Sequence, residues 1–196
     1  MTDIHTEAQL DALYDRPAPT SILKEVDHIT ADYARLIAAS PFVILATVGP
    51  EGLDCSPRGD PHGFARVADP KTLIIPDRRG NNRIDSLRNI VRDPRVALLF
   101  LIPGIGASMR VNGRARLSTD PGLCASFAME GKNPKCVIIV SVERAYPQCQ
   151  KAIARSRLWD AESHVDKTSL PTIGEMMERL APGNFDGKAY DAEYPE

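Results

Sequence analysis

The chain has 196 residues, of which 43% are hydrophobic, and a formal net charge of −2. This length supports one domain of ordinary size with a genuine hydrophobic core. The near-neutral charge argues against nucleic acid or an anionic membrane as a partner, and the apolar stretches are too short or too interrupted to span a bilayer.

Cysteine and histidine spacing excludes some kinds of site. The sequence contains no CxxC pair and no histidine pair at ligand spacing, so it predicts neither a metal site nor a disulfide framework. No basic, apolar leader opens the chain, and we expect a cytoplasmic protein with reduced thiols. For Cys149 we expect an inert buried thiol, with a reactive thiol as the alternative.

Residues 1–40 have helical periodicity and are predicted to form a helical lead-in. The periodicity breaks at residues 17–19, and Thr20 or Ser21 is expected to cap a second helix. The apolar residues predicted to share one face of that helix are Ile22, Val26, Ile29, Tyr33, Leu36 and Ile37.

From Phe42 the pattern changes to short β runs: "FVILATVG", "LDCSPRGD", "GFARVAD", "TLIIPD", "RVALLFLIP", "SMRVNGRARLST" and "CVIIVSVERAY". One helix, roughly Asn82 to Val91, interrupts them and ends before Pro94. This order indicates a mainly β (α+β) fold, an antiparallel barrel with one inserted helix. We therefore expect a barrel domain at 41–146, and a C-terminal helical segment and tail at 147–196 packed on the same domain.

The stretch "IIPDRRGNNRIDSL", residues 74–87, combines a buried strand, a basic turn and a helix start. A helix start directs unpaired N–H groups and the positive end of the helix dipole at one place, which suits a phosphate. Arg78, Arg79 and Arg83 would add charge-assisted hydrogen bonds. Taken alone, the stretch fits a solvated basic turn equally well.

Several motifs, in order, carry a resemblance to a known family. The run "FVILATVGPEGLDCSPRGDPHGFARVADPKTLIIPDRRGNNRIDSLRNIVRDPRVALLFLIPG" is followed by "MRVNGRARLS". Together they resemble the pyridoxamine 5′-phosphate oxidase-like family of FMN-binding split β-barrels. The resemblance is firm over residues 41–118 and looser as far as Trp159.

The resemblance implies an FMN site with three groups of contacts. Phosphate contacts are expected from Arg78, Asn81, Asn82 and Arg83. Pro76 and Asp77 are expected beside the isoalloxazine ring. Ser56, Pro57, Arg58 and Gly59 match the hairpin that touches the ring or phosphate in relatives, although "SPRGD" alone also fits an ordinary β-turn.

The resemblance also implies a homodimer with its flavin sites in grooves between the subunits. The matching strand is "SMRVNG", where alternation places Ser108 and Arg110 on one face. We expect these two residues to contact the cofactor across the interface; a plain surface strand is the alternative. The remaining partner is a small-molecule substrate, with no nucleic acid and no membrane.

The implied function is that of an FMN-dependent oxidoreductase, in which hydride passes between NAD(P)H and a small organic substrate. No side chain is singled out as catalytic. The turn "GNNR" departs from that of the oxidase itself, so the oxidase's substrate does not transfer to this chain. The alternatives are a non-catalytic flavin-binding or sensing protein and a deazaflavin-dependent reductase.

A final candidate lies near the C-terminus. Lys151, Arg155 and Trp159 are spaced i, i+4 and i+8, which predicts a cationic stripe along one side of a helix. Such a stripe would bind an anionic substrate or the phosphate of a nicotinamide cofactor. A solvated basic face with Trp159 in the core is the alternative.

Overall fold

The computed structural model describes residues 3–194 and divides into two units, one ending at Ser156 and one beginning at Arg157. The first unit contains a seven-stranded antiparallel sheet with helices around it. The predicted fold class, mainly β with an inserted helix and flanking helices, is confirmed. The division of the chain into segments at 40 and 146 stays a prediction.

The strands match the predicted β runs to within a few residues. Their bounds are β1 Phe42–Gly49, β2 Gly52–Gly59, β3 Arg66–Asp69, β4 Thr72–Pro76, β5 Arg95–Leu101, β6 Ser108–Ser118 and β7 Val137–Gln148. They lie in the order β2-β1-β5-β6-β7-β4-β3, and the two strands at the ends of this order leave the sheet open. Apart from hairpins, the order depends on pairings between strands that are distant in the sequence, such as β4 with β7.

The helices are short. Their bounds are α1 Glu7–Asp11, α2 Pro19–Leu23, α3 Ala31–Ala38, α4 Asp85–Arg92, α5 Pro121–Ala125, α6 Lys151–Ser156, α7 Ile173–Leu180 and α8 Gly187–Glu193. Across residues 3–194, no helix combines the length and the apolar character that crossing a bilayer requires.

The core of the first unit lies on the inner face of the sheet. Alternate residues of the central strands point inward and are fully or almost fully buried, as strand geometry dictates. They include Val43, Leu45, Leu98, Phe100, Met109, Val111, Ile138 and Val140. Burying one such side chain contributes about 1.5–3 kcal/mol, so this layer dominates the stability of the unit.

The predicted second helix of the lead-in is wrong in its middle part. Helix α2 ends at Leu23, and α3 begins only at Ala31, after Thr30 caps it by accepting from the Tyr33 N–H. Between them, Val26 exchanges two backbone hydrogen bonds with Ala145 of β7, at 3.1 and 2.8 Å. Sheet pairing thus replaces helical bonds here, a tertiary contact that helical periodicity does not reveal.

In the second unit, α7 and α8 pack through glycines. The Gly174 and Gly187 backbones approach so closely that a Cβ at position 174 would lie 2.1 Å from the Gly187 carbonyl oxygen. Asp191 accepts from the Gly174 N–H at 2.8 Å and from Thr172 at 2.5 Å. Helix α8 occupies part of the stretch that the sequence suggested was a tail.

Candidate functional site

A cleft of about 1380 Å³ opens in the first unit, where the two ends of the sheet approach each other. Its walls come from β2 at 54–59, from the connection between β4 and α4 at 76–87, and from the segment 129–136 that enters β7. Most of the predicted cofactor contacts lie here. They are Ser56, Pro57, Arg58, Gly59, Pro76, Asp77, Arg78, Asn81, Asn82 and Arg83.

An ion pair joins the two sides of the open sheet. Arg58 Nη1 on β2 donates to Oδ1 of Asp77, just after β4, at 2.6 Å, and the two side chains are only 19% and 15% exposed. The Arg58 Nε is buried, and no group in residues 3–194 accepts a hydrogen bond from it. A buried donor without an acceptor is costly, and Arg58 lines the cleft, so a ligand acceptor placed against this side chain would relieve that cost.

Arg78 links three parts of the unit. Its Nε donates to Asp60 Oδ2 at 2.5 Å, and its Nη1 donates to the Phe127 carbonyl oxygen at 2.6 Å. The Asp60 side chain is almost fully buried, at 5% exposed. Two of the three guanidinium nitrogens are therefore engaged in holding the walls of the cleft together.

The turn before α4 has an unusual backbone. Asn82 and Ile84 both have left-handed conformations, with φ of 60° and 51°, so the helix begins at Asp85 and not at Asn82 as predicted. Asparagine adopts this region readily, whereas a β-branched isoleucine adopts it only under strain, which costs about 1–3 kcal/mol. Strained residues of this kind concentrate at binding sites.

The same turn presents its positive charge to solvent. Arg83 Nε donates to Asp85 at 2.8 Å, but its side chain is 78% exposed. The Arg79 guanidinium makes no ion pair with any carboxylate of the described chain. Since exposed pairs are worth little, both arginines are available to an anion in the cleft.

Polar contacts fix α4 against the sheet. Ser86 Oγ donates to Asp54 on β2 at 3.0 Å, and the buried Asn89 donates to Thr47 on β1 at 3.1 Å. Gly49 lets the helix approach, because a Cβ at that position would lie 2.5 Å from Asn89 Oδ1. The position of the basic turn therefore depends on this close contact.

Gly49→Ala is expected to lower the free energy of unfolding by about 1–3 kcal/mol, because the new methyl group displaces Asn89. Thermal unfolding measures the effect. Gly80→Ala is the control, since a Cβ there meets nothing within 4 Å. Equal melting temperatures for the two variants would contradict the proposed contact.

The segment 129–136 was missed by sequence reasoning. It contributes Lys132, Asn133 and Lys135 to the cleft. Its only local signal is "GKNPK", a second basic turn before a strand. What brings it to the cleft is the pairing of β4 with β7, in which Pro76 lies opposite Val137.

Two cysteines differ in reactivity. Burial, reinforced by the nearby Asp77 carboxylate, raises the pKa of the Cys136 thiol to about 11. Cys149 is exposed, and a hydrogen bond with the Lys151 backbone, with the ammonium charge nearby, lowers its pKa. The expectation of a buried thiol at Cys149 is therefore wrong.

Thiol labelling at pH 8 is expected to modify Cys149 rapidly and Cys136 only after unfolding. The thiolate is the reactive form, and a pKa near 11 leaves about a thousandth of the Cys136 thiol ionised at pH 8. Peptide mapping after brief maleimide treatment measures this, with Cys149→Ser as the control. Labelling of both cysteines at similar rates would overturn it.

Five predicted contacts lie outside the cleft lining. Ser108 is buried and Arg110 exposed on β6, where Arg110 Nη1 lies 3.3 Å from the Tyr146 hydroxyl. Lys151 and Arg155 lie on α6, which ends at Ser156. Trp159 follows that helix and belongs to the second unit, so the continuous helical stripe is wrong. Roles for these residues in binding stay predictions.

A sequence model of the pyridoxamine 5′-phosphate oxidase family matches residues 29–149, most of the first unit and the whole sheet. This chain belongs to that family, a flavin-binding one, and the resemblance inferred from its motifs is confirmed. No curated protein matches the chain.

Several solved structures are similar to about three-fifths of the chain. HupZ of Group A Streptococcus is 24% identical, with a TM-score of 0.49 over 62% of this chain and 94% of its own. A provisionally named pyridoxamine 5′-phosphate oxidase of Lactobacillus delbrueckii is 22% identical, with a TM-score of 0.49 over 62% and 95%. An FAD-binding protein of Mesorhizobium loti is 17% identical, with a TM-score of 0.42 over 62% and 96%.

Proposed function

We propose that the cleft binds FMN and that the chain is an FMN-dependent oxidoreductase. The observation that carries this proposal is that Arg58 lines a basic cleft while its buried Nε has no acceptor within the described chain. A flavin ring offers carbonyl and ring-nitrogen acceptors to such a donor. Family membership supports the choice of a flavin.

The residues present fit the group. The turn at 79–84 offers two exposed arginines, two asparagines and the first N–H groups of α4 to a phosphate. Arg58, held by Asp77, offers its Nε to the ring. Two walls of the cleft thus offer groups to the flavin, one to the charge of its phosphate and the other to the polar atoms of its ring.

When bound, FMN supplies hydride transfer between NAD(P)H and a small organic substrate. The chain's own part is to orient the ring through Arg58 and the phosphate through the basic turn. Cys136, with its raised pKa, stays protonated at neutral pH and is no nucleophile. None of the cleft residues is assigned as a proton donor or acceptor in the reaction.

The homodimer is supported by a cross-strand row on the outer face of the sheet. In register, Pro57 lies opposite Ile44, Ile44 opposite Leu99, Leu99 opposite Arg110, and Arg110 opposite Tyr146. This row begins at the cleft, which Pro57 lines, and passes over partly exposed Ile44 and Leu99. A second copy packed on these residues would cover them and bring its own Arg110 near the cleft.

Light scattering is expected to give about twice the chain mass of 21.5 kDa. Leu99→Arg is expected to dissociate the dimer, because it places a charge in an apolar contact. Val91→Arg is the matched control, since Val91 is 74% exposed on α4. A wild-type monomer that holds one FMN per chain would contradict an interfacial site.

Release of the cofactor from purified protein, followed by absorbance and mass measurement, tests the assignment. FMN together with steady turnover of NAD(P)H and an acceptor supports the oxidoreductase. Bound FMN that no nicotinamide reduces would identify a flavin-binding or sensing protein instead. A released deazaflavin would identify a deazaflavin-dependent reductase.

A further inference from the structure

The β7-entry segment, residues 129–136, forms a wall of the cleft that is separate in sequence from the basic turn. It carries two cations, Lys132 and Lys135, both exposed. The cleft volume of about 1380 Å³ exceeds the 300–1,000 Å³ or so of a typical small-molecule pocket. The cleft therefore has room for a second ligand beside a flavin.

The backbone of this segment is fixed by a tight hairpin. Met129 and Lys132 exchange two hydrogen bonds, at 3.0 and 2.9 Å, around Glu130 and Gly131. Those two central residues have φ of 50° and 73°, as a two-residue turn of type I′ requires. Further on, Lys135 precedes the buried Cys136, the last residue before β7.

Two arginines hold the backbone at residues 126–127, just before the β7-entry segment begins. Arg66 donates to the Ser126 hydroxyl at 3.0 Å and to its carbonyl oxygen at 2.9 Å. Its guanidinium carbon also lies 4.1 Å from the centre of the Phe127 ring. Arg78 binds the Phe127 carbonyl oxygen. These contacts hold the backbone that leads to the two lysines. A backbone that is already ordered loses less conformational entropy when a ligand binds to it.

The charges of both lysines are uncompensated. Glu130 also lines the cleft, but within residues 3–194 neither lysine forms an ion pair with it or with any other carboxylate. Arg58, Arg78 and Arg83 in the other walls each have a carboxylate partner, whereas Arg79 of the basic turn, like the two lysines, has none within the described chain. Unpaired cations on a rigid cleft wall favour an anionic ligand.

We infer that Lys132 and Lys135 form a second anion subsite, which binds the phosphate or carboxylate group of the molecule that exchanges hydride with the flavin. This inference rests on the proposed function. It assigns the anionic end of the donor or acceptor to the β7-entry segment, and leaves the basic turn to the flavin phosphate.

The test uses FMN-saturated protein titrated with inorganic pyrophosphate, followed by the change in flavin absorbance. Lys132→Gln/Lys135→Gln is expected to weaken pyrophosphate binding at least about tenfold, because two charge-assisted contacts are lost. Its FMN dissociation constant is expected to stay at the wild-type value. Lys24→Gln/Lys188→Gln, with the same charge change outside the cleft lining, is the control.

Unchanged pyrophosphate binding in the double variant would overturn the inference. An equal loss of FMN affinity would also overturn it, since the lysines would then belong to the flavin phosphate site. If wild-type protein binds no FMN, the proposed function fails by itself. Calorimetric titration of the flavin-free protein with pyrophosphate still tests the lysines. A loss of pyrophosphate affinity in the double variant supports the subsite.

Kinetics distinguish the two sources of the anion. A Michaelis constant that rises for both NADPH and NADH assigns the subsite to the diphosphate of the donor, and a rise for NADPH alone assigns it to the 2′-phosphate. A rise only for a phosphorylated or carboxylated acceptor assigns it to the acceptor.

Discussion

Arg58→Met is expected to lower the free energy of unfolding by about 3 kcal/mol, because it leaves the Asp77 carboxylate unpaired in a largely buried place. For a chain of this size, the melting temperature should fall by about 6–12 °C. FMN affinity should fall at least about tenfold in addition, since the donor proposed for the ring is lost. Thermal unfolding and FMN titration measure the two effects separately.

A paired substitution separates structure from binding. Arg58→Met/Asp77→Leu replaces the ion pair by apolar side chains, which is often neutral for stability. We therefore expect a melting temperature near that of the wild type, with FMN affinity still low. If the paired variant recovers both stability and FMN affinity, Arg58 supports the fold only and the buried Nε does not bind the flavin.

Arg79→Ala/Arg83→Ala is expected to weaken FMN binding by two decades or more, at about one to two decades for each charge-assisted contact. Riboflavin, which lacks the phosphate, should bind the variant as it binds the wild type. Both side chains are exposed, so the melting temperature should change little.

The matched control for this variant is Arg88→Ala/Arg92→Ala. Both of these arginines are exposed on α4, and neither lines the cleft. Their removal changes net charge by the same amount, so any long-range electrostatic effect on FMN binding appears in both variants. Similar losses of FMN affinity in the two would show that the turn at 79–84 does not contact the phosphate.

The strands were readable from the sequence because alternation and turn residues are local signals. The predicted strand "FVILATVG" has the same first and last residues as β1. The helical lead-in was not readable in full, because Val26 gives up helical bonds for a pairing with Ala145, more than a hundred positions away. Helical periodicity continues through that region without marking the interruption.

The candidate site shows the same division. The turn at 79–84 was visible because arginines and asparagines cluster within a few positions. The left-handed Ile84 was not visible, since a β-branched residue gives no sign of positive φ. The lysines of the β7-entry segment reach the cleft only through the β4–β7 pairing, which no local pattern encodes.

The most direct measurement of the central claim is a parallel titration of flavin-free wild-type protein with FMN and with riboflavin. Binding through a phosphate site predicts that FMN binds at least about tenfold more tightly, because a single charge-assisted contact is worth that much. It also predicts that the difference shrinks as salt rises, since part of the attraction is screened. Equal affinities for FMN and riboflavin at low salt would contradict the account.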